Sequence, residues 1–177
     1  MLTKLLKRPV TWLVLAAGVV VLTVGLALFQ PWKLWVDQTV DEAPIVAIPP
    51  AAADGITPGG PSVLARGTLI SHEHDTTGTV QVVQAADGSR YLRLENLNTS
   101  NGPLLKVWLT DAPVKPGKDG WGVFDDGRYA DLGALKGNKG SQNYALPADV
   151  NLARYRSVSI WCARFHVSFG AAELTRP

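Results

Sequence analysis

The stretch Ser157 to Leu174, S-V-S-I-W-C-A-R-F-H-V-S-F-G-A-A-E-L, carries the densest apolar alternation of the chain, its single cysteine and one of its three histidines. In extended backbone, successive side chains point to opposite faces. Val158, Ile160 and Cys162 therefore share one face, and Ser157, Ser159 and Trp161 the other. Past Ala163 and Arg164 the apolar set resumes out of phase, at Phe165, Val167 and Phe169. A slip of one residue turns every side chain over, so the pattern predicts a bulge or tight turn at Ala163-Arg164 rather than one straight strand. Such an interruption would lift Cys162 toward a sheet edge, which is where a chemical role for it would need it.

Upstream, short apolar runs alternate with turn residues. Strands are expected over 63–71, 78–84, 91–97, 104–110, 131–136 and 142–146. Asp87-Gly88 is a hairpin signal between the second and third of these. Residues 111–128, with Pro113, Pro116 and several glycines, read as a long loop. No segment of this region has a convincing helical period. The expected fold is all-β, a single antiparallel sandwich or barrel-like domain over 63–177.

Before it comes a different kind of sequence. Lys4, Lys7 and Arg8 precede residues 10–29, which hold no charge. At 1.5 Å per residue those span about 30 Å, the hydrocarbon thickness of a bilayer. The cationic side faces the cytoplasm by the usual bias, while Asp37, Asp41 and Glu42 follow on the other side. The apolar run exceeds that of a cleaved signal peptide, and Ala27 to Pro31 makes a poor cleavage site. A single-pass anchor is expected: residues 1–9 in the cytoplasm, the C-terminal domain outside the cell membrane. Trp32 and Trp35 suit the interface. Residues 30–62 are rich in Pro, Ala and Gly and are expected to act as a semi-rigid spacer that lifts the domain off the membrane.

The net charge of +2 and the absence of a basic run outside the N-terminus give nucleic-acid binding no support. One cysteine forms no disulfide within the chain, so Cys162 is a packed apolar group, a free thiol or a ligand. His72 and His74, in S-H-E-H-D, are two apart and would face one side of a strand; the competing reading is an exposed turn with solvated histidines. With Cys162 and His166 they complete a nitrogen and sulfur set that would suit copper or zinc if it converged. No nucleophile elbow, EF-hand loop or phosphate cradle is present. Trp108, Trp121 and Trp161 read as packing residues.

The ordered motifs carry a resemblance. Gly67, His74 and Gly78-Thr79 are followed by Leu92-Arg93-Leu94-Glu95-Asn96, Asn101-Gly102-Pro103 and Val107-Trp108-Leu109. Asp131-Leu132-Gly133, Leu135-Lys136-Gly137-Asn138 and Gln142-Asn143-Tyr144-Ala145-Leu146-Pro147 come next, then Ser157-Val158-Ser159-Ile160-Trp161-Cys162 with Phe165. Together they resemble the DM-thirteen, or electron-transfer DM, domain over about Val63 to Leu174. The resemblance implies a small extracytoplasmic β-rich domain with a redox role resting on its cysteine, as a bare thiol or a ligand. Cys162 matches that cysteine. Animal members accompany DOMON domains, related to haem-binding cytochrome modules, so haem joins copper among the cofactors to test. Leu104 departs from the acidic residue that members commonly carry there.

The expected function is thus a membrane-anchored electron-transfer module rather than a turnover enzyme. Its centre is Cys162, supported by Trp161 and His166, and it would serve a redox partner protein. The alternative is a non-catalytic surface module that presents the 111–128 loop to a partner.

Overall fold

Strand β9, Ser157–Cys162, is buried along its whole length, and both sheets arrange themselves around that fact. The computed structural model describes residues 9–45 and 61–176. An apolar helix, α1 (Pro9–Phe29), leads through a short 3-10 turn (Pro31–Trp35) into the strands. In chain order these are β1 (Thr39–Asp41), β2 (Ser62–Thr68), β3 (Ile70–Ser71), β4 (Thr77–Gln84), β5 (Arg90–Asn98), β6 (Leu105–Thr110), β7 (Tyr129–Ala134), β8 (Lys139–Leu146), β9 and β10 (Val167–Glu173). Among the described residues they form two five-stranded sheets, β1-β8-β5-β4-β2 and β3-β10-β9-β6-β7. The molecule is an all-β sandwich preceded by one apolar helix.

The core follows from period-2 alternation on the facing surfaces. Val80, Val82, Leu92 and Leu94 of the first sheet meet Leu105, Val107, Leu109, Val158, Ile160 and Cys162 of the second. Burying one such side chain stabilises by about 1.5–3 kcal/mol. In β9, Val158, Ile160 and Cys162 do share the core face, as the alternation requires. The serines and Trp161 on the reverse face are no more exposed. That face is roofed by the 111–128 segment, whose Phe124 is fully buried and packs with Ala112, Trp108, Trp161 and Ala171. Sequence alone did not reveal that this long loop is a lid.

The phase change past Cys162 resolves into a hairpin. Cys162 pairs with Val167 across the turn 163–166, and a second irregularity between Ser168 and Gly170 restores the register. The sheets approach closely where β2 passes the end of β10, and Gly67 sits there because a Cβ would collide with the Glu173 carbonyl.

The spacer expected over 30–62 is corrected in its first part. Thr39–Asp41 pairs in parallel with Lys139–Ser141 and completes the edge of the first sheet. Lys33, Asp37 and Gln38 are hydrogen-bonded to the sandwich. The Pro- and Gly-rich remainder, whose residues 46–60 lie outside the described residues, therefore falls between β1 and β2 and not between helix and domain. Residues 1–8 also lie outside them.

Truncating Ile160 to alanine should remove about 2–5 kcal/mol. Urea unfolding of the full chain in detergent, followed by tryptophan fluorescence, measures it. A loss below about 1 kcal/mol, the size of an ordinary surface substitution, would contradict the central place of β9.

Candidate functional site

Cys162 closes the core face of β9. Its side chain is 0% exposed. The Sγ–H donates to the Pro103 carbonyl at 3.2 Å, and Leu105 of β6 is its cross-strand partner. Burial pushes the thiol pKa up, with backbone amides of Phe165 and Arg164 acting the other way. The turn after it does not lift the sulfur to an open edge, contrary to the sequence expectation. In the closed fold the group is a protonated thiol in an apolar setting, without the thiolate that nucleophilic chemistry needs.

Trp161 lies on the reverse face. Its ring stacks on Trp108 at 5.0 Å between centroids, and Trp108 stacks on Tyr129 at 3.8 Å. Phe124 meets Trp161 edge-on at 6.3 Å. His166 does so at 6.4 Å, which places its ring with Trp161 and not with the sulfur. His166 has a left-handed backbone (φ 54°), uncommon for a residue with a side chain. Its Nδ1 lies 2.9 Å from Asp125 Oδ2, joining the turn to the lid.

His72 and His74 do not share a strand face. Both lie in a bend after β3. His74 packs on the Phe169 ring at 3.9 Å and sits 3.5 Å from Glu73. His72 is buried rather than solvated. Its Nε2 is 3.0 Å from the Lys115 carbonyl, which can only accept, so Nε2 carries the proton. Its Nδ1 then accepts from Ser168 Oγ at 2.8 Å, and Ser159 Oγ donates to Ser168 Oγ at 2.9 Å. This row ties the lid to the sheet beneath it. Sequence reading passed over Ser159 and Ser168, although two serines alternating with large apolar residues on neighbouring strands were its visible trace.

Both nitrogens of His72 are committed, His166 is paired to Asp125, and the sulfur donates to a backbone carbonyl. Among the described residues no three His, Cys, Asp or Glu side chains gather where they could hold an ion. As they sit here, Cys162, His72 and His74 do not gather as the ligands of a copper or zinc ion.

What fold and site define is a small β-sandwich module with one shielded sulfur at the closed end of its central strand. Residues 68–174 match the model of the family described as Electron transfer DM13. The match spans more than half of the chain, and the chain belongs to that family. No curated protein and no solved structure matches it.

Desolvation holds the His72 pKa below its ordinary 6.5, outweighing the opposite effect of the Lys115 bond. The folded form resists a proton that the unfolded chain accepts, so this stability is complete above about pH 6.5 and declines as pH falls through the lowered folded value. The gap in urea midpoint between the wild type and His72→Gln should therefore narrow from about pH 7.5 to about pH 5. Parallel profiles would contradict a buried neutral His72.

Proposed function

We propose that the chain is a membrane-anchored, extracytoplasmic redox module in which Cys162 is the redox group, latent in the closed fold, and Trp161 and His166 hold its gate. The observation that carries this is positional. Cys162 is the last residue of β9, joined to Val167 across the hairpin and one step from the turn. Strand ends open at lower free energy than strand centres. Opening there returns the thiol to water and lets it ionise. Trp161 fixes β9 against the lid, and the His166–Asp125 contact closes the turn over it. Family membership supports the redox class.

The helix supports the anchoring. It is 21 residues long, with a mean hydropathy of 2.5, and none of its residues is buried in the protein. Lys4, Lys7 and Arg8 on its N-terminal side favour a cytoplasmic N-terminus.

The chemistry within reach is oxidation of the exposed thiolate by a peroxide. Sulfur attacks one peroxide oxygen, the O–O bond breaks, the other oxygen leaves as hydroxide, and the sulfur becomes a sulfenic acid. The chain has no second cysteine, so the thiol that reduces it comes from a partner.

The burial of Cys162 in the apolar core also favours a second reading, a non-catalytic surface-binding module whose cysteine is only packing. Dilute hydrogen peroxide with dimedone, applied to the full chain in nanodiscs, separates the two. Dimedone should label Cys162 in the wild type and nothing in Cys162→Ser. An unlabelled Cys162 in folded protein, with labelling after denaturation, would leave the binding reading standing.

A further inference from the structure

The end of the sandwich that carries Cys162 is also the end from which α1 departs. The Phe29 ring, at the C-terminus of α1, stacks on Phe165 of the β9–β10 turn at 5.8 Å and 15°. Between helix and β1 the backbone is tied down rather than extended. Asn101 Nδ2 donates to the Val36 carbonyl at 2.9 Å, and Asn138 Oδ1 accepts from the Gln38 N–H at 2.7 Å. Lys139 bonds the Asp37 carboxylate. A domain held in this way stays beside the point where its helix leaves the bilayer.

That end carries apolar groups that the protein covers only in part. Leu104 is 48% exposed and Phe165 49%, while Trp35 is 80% exposed, and Trp32 and Leu34 are exposed too. Leu104 is presented from a left-handed backbone (φ 59°), a conformation that costs a leucine energy in isolation. Arg164 is exposed in the same turn, and Lys33 reaches the Gly102 carbonyl at 3.5 Å. Exposed aliphatic and aromatic side chains with basic residues among them, continuous with a spanning helix, have the composition of a membrane-interface contact.

We infer that this end of the sandwich, centred on Leu104 and Phe165, rests in the outer headgroup layer of the bilayer that α1 crosses. The inference rests on the anchoring proposed above. It reverses the expected stalk: the domain is seated on the membrane, and the gate over Cys162 opens toward lipid.

Site-directed nitroxides on the full chain in nanodiscs of zwitterionic lipid test this, with Phe165→Cys as the probe and Asp87→Cys, in the turn at the opposite end of β4 and β5, as the control. Arg164→Cys is the second probe should Phe165→Cys fold poorly. The Phe165→Cys label should collide readily with lipid-soluble oxygen and lose most of its collisions with a water-soluble nickel chelate, and the control should show the reverse. Equal nickel access at both positions would place the turn in water and overturn the inference. Shielding from both reagents would mean a protein partner, such as a second copy of the chain, and overturn it too. Alkaline carbonate extraction is read separately. Release of the chain would sink the anchor itself, whereas retained chain with a nickel-accessible turn would sink only the seating.

Discussion

Everything in this domain depends on β9 having no free face. It is hydrogen-bonded on one side to β6 and on the other to β10, and both its surfaces are dry. Its core face, Val158, Ile160 and Cys162, joins the two sheets. Its reverse face, built on Trp161, requires a second layer, and the chain supplies one by folding 111–128 back over it. A strand so enclosed reads as apolar on both sides, except where polar side chains satisfy each other. The hydroxyls of Ser157 and Ser159 are satisfied here by backbone carbonyls and by Ser168 of β10, which lies against His72, while the Trp161 indole N–H finds no partner among the described residues. Buried hydroxyls without partners would each be costly.

The same enclosure explains why the sulfur is quiet. A thiol at the end of a solvated strand would titrate near its ordinary range. At the end of this one it is packed and hydrogen-bonded, so reactivity becomes a question of how often the end opens. The gate proposed above rests on local features: the turn 163–166, the left-handed His166 and its Asp125 contact, and the Pro103 carbonyl that accepts the thiol's hydrogen bond.

Much of this was legible beforehand. The alternation in β4, β5, β6 and β9 assigns their core faces, because a period of two survives in any half-buried strand. The out-of-phase step after Cys162 is the hairpin. The rest needed contacts distant in sequence. Nothing local in 111–128 says that Phe124 is fully buried, because Pro- and Gly-rich sequence is equally suited to a free loop. Thr39 to Asp41 is too short to read as a strand and pairs with residues a hundred positions away. The histidine pair shows most clearly what spacing omits. An interval of two means a shared face only in extended backbone, and a bend after β3 sends His72 beneath the lid and His74 onto Phe169.

The central claim is that Cys162 is shielded by a local closure and not by the fold as a whole. Its alkylation by iodoacetamide, followed against urea well below the unfolding transition of the full chain in nanodiscs, tests that most directly. Local opening exposes little surface, so the rate should be nearly independent of urea until the transition begins. A rate that climbs from the lowest urea with the full slope of global unfolding would make Cys162 a core residue like Ile160, and the redox account would lose its basis.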